Sequence, residues 1–139
     1  ALMHPQAVGW DWIGMNLMDG SALTAFRLRD KQGAALWSGG SFRTANGALQ
    51  VFGYNAVVFT PERHWHSPSS QATYPVAWRV QTPAGNFRVQ ALLDNQELDS
   101  RASTGAIYWE GLSELLDEKN HAVGRGYLEM TGYAAALRL

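Results

Sequence analysis

The sequence predicts an all-β fold, an antiparallel barrel or sandwich of about eight strands. Three observations carry this expectation. Apolar residues recur with period two in successive runs, turn residues separate those runs at short and regular spacing, and no segment sustains a period of 3.6.

The first run, "WDWIGMNL", and the second, "SALTAFRLR", flank Met18-Asp19-Gly20, whose Asp-Gly step predicts a tight turn between antiparallel strands. After the polar turn "DKQG", the stretches "AALWSGG" and "SFRT" make a third run. Asn46-Gly47 then turns the chain into "ALQVFGYNAVVF", where Gly53 predicts a bulge or bend. "YPVAWRVQ" places Tyr74, Val76, Trp78 and Val80 on one face. Beyond the turn "TPAGN", "FRVQALL" does the same for Phe87, Val89, Ala91 and Leu93, so the two form a second hairpin. "TGAIYWEGLSEL" and "GRGYLEMTGYAAALRL" supply the last long runs. "SELLDEKN" allows a single helical turn and nothing longer, because Gly124 and Gly126 follow.

The 139 residues suit one domain spanning residues 1–139, and an apolar share of 46% is enough for a real core. The apolar runs "NAVVFT" and "YAAALRL" are too short to cross a bilayer as helices. Eleven basic against twelve acidic side chains leave a net charge of -1 with no basic block, which argues against nucleic acid as a partner. The absence of cysteine excludes disulfides, thiolate chemistry and cysteine-ligated metal sites.

His64 and His66 in "RHWHSP" share one face of an extended segment, yet no third ligand is evident, so a loop running into the turn at Pro68 is expected in place of a metal site. "WSGGS" is no nucleophile elbow, since Leu36 stands where its first glycine belongs. The glycines of "VGRGYLEMTGY" open a strand, which removes the dinucleotide reading. No cofactor is expected.

Two carboxylates stand beside bulky aromatics: Asp11 in "GWDW" and Glu110 in "YWEG". Strand alternation puts Trp10 and Trp12 on one face and Asp11 on the other with Ile13 and Met15. An acid on that apolar face needs a partner or a function. Either carboxyl group is a candidate proton donor if desolvation weakens its acidity. Structural pairing, with an indole or backbone N–H or with an arginine such as Arg27 or Arg125, is the preferred reading. Six tryptophans in so short a chain suggest a cavity lined by some of them, with Trp10, Trp12, Trp78, Tyr108 and Trp109 as the candidate walls.

In order along the chain, "GWDWIGMNLMDGSALTAFRLRD", "WHSP" with "YPVAWRV", "YWEG" and "GRGYLEMTGY" resemble the second half of the carotenoid 1,2-hydratase (hydroxyneurosporene synthase) and AttH-like family, many of whose members are known only as predicted secreted hydrolases. The resemblance implies a lipocalin-like antiparallel β-barrel, the second of two consecutive barrel domains. It also suggests a periplasmic or secreted setting. In the family pattern a motif rich in Asp, His, Glu and Trp precedes "GWDW", whereas here the chain reads "ALMHPQAVGWDW". Independent catalysis is therefore not expected, and the N-terminal lipocalin-like domain becomes an expected partner. Two functions follow from the resemblance. The first is binding of an elongated apolar molecule (a polyene, isoprenoid or lipid) or packing on that partner domain. The alternative is a cofactor-independent hydratase, a hydro-lyase that adds water to an isoprenoid C=C bond. Asp11 would then donate the proton, Trp10, Trp12 and Tyr108 would wall the pocket, and Glu110 would orient the acid.

Overall fold

The computed structural model describes residues 4–103 and 105–136. Its strands are β1 (Gly9–Leu17), β2 (Ala22–Arg29), β3 (Ala35–Arg43), β4 (Leu49–Phe52), β5 (Val58–His66), β6 (Thr73–Thr82), β7 (Gly85–Ala91), β8 (Glu97–Ser100), β9 (Ala106–Leu116) and β10 (Ala122–Met130). They form one antiparallel sheet in the order β4-β3-β2-β1-β10-β9-β7-β6-β5, with β8 added on β9. No helix occurs among the described residues.

One face of this sheet wraps around a single apolar cluster that draws on both of its ends, from Leu23 and Phe52 to Phe59 and Val80. The wrapped sheet is barrel-like, but its terminal strands β4 and β5 do not pair with each other among the described residues. The alternation read in "YPVAWRVQ" is the alternation of burial: Tyr74, Val76, Trp78 and Val80 are all fully buried. Edge-on packing of Phe59 against Trp78, with ring centroids 5.7 Å apart, fixes β5 to β6 on the inner side.

The structure departs from the sequence reading in five places, the first being Leu93, which lies beyond the end of β7 and is exposed, outside the inward row of Val89 and Ala91. "ALQVFGYNAVVF" is two strands, because the chain turns at Tyr54-Asn55, where Asn55 takes a left-handed φ of 59°, so Gly53 opens a turn and makes no bulge. "RHWH" lies in β5, and the turn begins only after His66. Glu114, Leu115 and Leu116 continue β9, so "SELLDEKN" starts as strand. The last run ends at Met130, and the Leu137–Leu139 part of "YAAALRL" lies outside the described residues. The break at Tyr54-Asn55 and the short β8, which has no period-two pattern, account for ten strands where about eight were expected.

Candidate functional site

The outer face of β1, β2 and β3 carries an apolar groove. Its neighbours across the strands are Trp10 beside Leu28, Leu28 beside Trp37, and Trp12 beside Phe26. Two glycines make the floor flat. A Cβ on Gly14 would overlap the Trp12 indole, and one on Gly39 would come within 3.1 Å of the Phe26 ring, so both rings lie down over backbone. Phe26 meets Trp37 edge-on at 5.6 Å. With Leu36, Tyr54 and His4 these side chains enclose a groove of about 590 Å³, within the range of small-molecule sites. Trp37 and Tyr54 at its rim are 45% and 71% exposed, and the Tyr54 hydroxyl donates to the Leu36 carbonyl at 3.3 Å. Exposed apolar surface gathered in one patch like this is uncommon on a monomeric protein.

Asp11 lies on the opposite face of β1, fully buried. It accepts hydrogen bonds from Arg27 Nε at 2.7 Å, Arg29 Nη1 at 3.3 Å and the Tyr133 hydroxyl at 2.7 Å. A guanidinium can only donate, so this surrounding suits a carboxylate and offers little to a protonated acid. Arg29 also donates to the Thr131 carbonyl and lies 3.7 Å from the centroid of the Tyr133 ring. Burial above all, then the Asp11 charge, drives the Tyr133 hydroxyl well above the usual phenol range, so it stays a neutral donor.

Glu110 faces outward on β9 directly opposite Glu129 on β10. Hydrogen bonding to Glu129, then partial desolvation and the like charge, raises the Glu110 carboxyl above the ordinary range. Glu129 in turn accepts from Trp10 Nε1 at 2.6 Å. The pair thus stands behind Trp10 and outside the groove lining. Because the folded form holds the proton more tightly than the unfolded chain, the pair costs stability as pH rises through and above the ordinary glutamate range. Glu110→Gln is expected to stabilise the chain at pH 7–8 by about 0.2–1 kcal/mol before screening by salt, read as a higher melting temperature. The gain should vanish near pH 4. Melting curves of both proteins across that range check it, and a gain that persists at pH 4 would contradict the shared proton.

The structure therefore separates the residues that the hydratase reading had brought together. Trp10 and Trp12 line the groove; Asp11 points into the barrel; Glu110 and Tyr108 lie on the outer face away from the lining. Trp78 and Trp109 are fully buried core residues, with Trp109 Nε1 donating to the Asp94 carbonyl at 2.7 Å. Arg27 is the partner of Asp11, and Arg125 is not. Phe26, Leu28, Trp37 and Tyr54 were missed as site residues, although the alternation of "FRL" and "LWS" already sets Phe26, Leu28 and Trp37 apart from the inward positions. Arg29 and Tyr133 had no sequence signal as partners of Asp11. His66 lies between Thr73 Oγ1 and Gln71 Oε1, at 2.9 and 3.0 Å. No group of three His, Asp or Glu side chains suited to a metal ion forms among the described residues.

This arrangement, a wrapped antiparallel sheet around one core, defines a lipocalin-like all-β barrel protein. The AttH-like family matches residues 1–133, and the chain belongs to that family. Among solved structures it is similar to an AttH-type protein of Nitrosomonas europaea, with 47% identity and a TM-score of 0.89 over 96% of this chain and 41% of that one. It also shares its fold with kievitone hydratase from Nectria haematococca, with 20% identity and a TM-score of 0.69 over 93% of this chain and 40% of that one. The chain thus spans about two fifths of the length of these structures. No curated protein matches it.

Proposed function

We propose that this lipocalin-like chain binds an elongated apolar molecule, of polyene, isoprenoid or lipid type, in the groove on the outer face of β1 to β3. The observation that carries the reading is the groove itself, about 590 Å³ walled by Trp10, Trp12, Phe26, Leu28, Leu36 and Trp37. Its walls offer apolar and aromatic surface with few polar groups, so they select for hydrophobic length over hydrogen-bonding pattern. The same exposed face, extended by Val51, Tyr127 and Leu112, also suits packing on a second barrel domain. Acid-catalysed hydration is the weaker alternative. Asp11 is tied to two arginines on the far side of the sheet, and the Glu110–Glu129 pair does not line the groove.

Titration of the chain with palmitic acid and with a soluble polyene, followed by tryptophan fluorescence, is expected to show saturable quenching. Trp12→Ala should weaken that binding by about thirtyfold, the effect of losing a central aromatic anchor worth roughly 2 kcal/mol. Absence of saturable quenching with either probe would overturn the binding reading.

A further inference from the structure

Trp10 is anchored from outside the groove that it walls. Its indole N–H donates to Glu129 Oε1 on β10 at 2.6 Å, a charge-assisted bond that fixes the orientation of the ring. The reach is diagonal, because the residue directly across from Glu129 on β1 is Trp12. Trp12 leaves the way open, since its ring lies over Gly14, away from Trp10. On its other side Glu129 stands directly opposite Glu110 of β9. A single half-buried carboxylate therefore joins an aromatic wall of the groove to a second carboxyl group.

Like charges directly opposite one another on a sheet repel, and neither acid forms an ion pair among the described residues. On the outer face, β9 contributes Tyr108, Leu112 and Glu114 beside Glu110, β10 contributes Tyr127 and Arg125 beside Glu129, and β1 offers Trp10, Trp12 and Asn16. Arg125 faces Glu114, with the Tyr127–Leu112 pair between it and the two acids. The groove wall carries two further titratable side chains, His4 and Tyr54. With one proton between them, Glu110 donates to Glu129, and the Glu129 carboxylate is held between that O–H and the Trp10 N–H. With the proton gone, the two carboxylates repel and Glu129 loses one of its two holds. Folding raises the Glu110 carboxyl above its ordinary range, so the held state occupies the acid side and is lost as pH rises through and above the ordinary glutamate range.

We propose that Glu129 is the positioning residue for Trp10 in the groove, and that the proton it shares with Glu110 makes the groove hold an apolar ligand more tightly in acid than at neutral pH. An indole already fixed at the wall loses little freedom when a ligand arrives, whereas a released one must be ordered again. For one such side chain the difference corresponds to about threefold to tenfold in affinity. The effect on binding rests on the groove as the ligand site, while the hold on Trp10 exists in the free chain and is read there.

Two measurements from about pH 4.5 to 8, a range that brackets the pair, test this. The first follows the Trp10 indole N–H signal of the free ¹⁵N-labelled chain, assigned by its absence from Trp10→Phe. It is expected to move with pH in wild type and to stay in place in Glu110→Gln, whose amide donates to Glu129 as the protonated acid does and does not titrate. The second is a fluorescence titration with all-trans-retinol, which has no group that titrates in this range. Wild type is expected to bind about threefold to tenfold more weakly at the upper end of the range than at the lower. Glu110→Gln should keep the tighter affinity throughout, and Glu129→Gln, without the charged acceptor, the weaker one throughout. A Trp10 signal that does not move, or that moves equally in Glu110→Gln, would overturn the proposal. So would a wild-type affinity independent of pH, a Glu129→Gln variant that binds as tightly as wild type in acid, or a pH dependence that survives in Glu110→Gln and so belongs to His4. If retinol binds at no pH, the groove reading fails, and the indole signal alone decides the hold on Trp10.

Discussion

Asp11→Asn is expected to destabilise the chain by about 3–5 kcal/mol, the cost of removing one partner from a buried ion pair. The substitution preserves shape. What it leaves behind is the problem: two guanidiniums, already in excess over one carboxylate, would face a neutral amide at a fully buried position. The Tyr133 hydroxyl would also lose its charged acceptor. If stranded charge is the cause, removing one of the arginines as well should return part of the loss. Asp11→Asn/Arg27→Met is therefore expected to be more stable than the sum of its two single variants allows. Urea unfolding of the four proteins measures this coupling. An Asp11→Asn variant as stable as wild type would mean that the carboxylate is not the centre of this cluster, and would return it to consideration as a neutral proton donor.

Much of this arrangement is visible in three residues of sequence. Period-two alternation alone separates Trp10 and Trp12 from Asp11, and the strand places them on opposite faces as it must. The hydratase scheme set that geometry aside when it joined Asp11 to a pocket walled by its own neighbours. Local patterns also mark the hairpin at Met18-Asp19-Gly20 and the inward row from Tyr74 to Val80. Long-range partners were not legible. Arg29 and Tyr133 reach Asp11 from 18 and 122 positions away, and no local periodicity encodes which strand lies beside which. The groove needed the same information, since its rim residue Tyr54 sits in a turn that the apolar run "VFGYNAVVF" concealed. Tryptophan count suggested a lined cavity, but composition cannot assign an indole to the inner or the outer face.

Trp109→Ala separates those two kinds of tryptophan. The side chain is fully buried among the inner-face cluster, and its indole N–H answers the Asp94 carbonyl at 2.7 Å. Truncation removes a large apolar surface, opens a cavity that a sheet paired on both sides of β9 can close only in part, and leaves that carbonyl without its donor. The expected loss is about 3–5 kcal/mol. At a temperature where the variant is still folded, binding of palmitic acid should remain close to wild type, because Trp109 faces away from the groove. Trp12→Ala should show the reverse: a modest change in stability, since the indole lies half-exposed on the outer face, and a large loss of affinity. Denaturant midpoints and quenching titrations on the same two samples give both numbers. Loss of binding in folded Trp109→Ala, with binding retained in Trp12→Ala, would place the ligand inside the barrel and overturn the assignment of the outer groove.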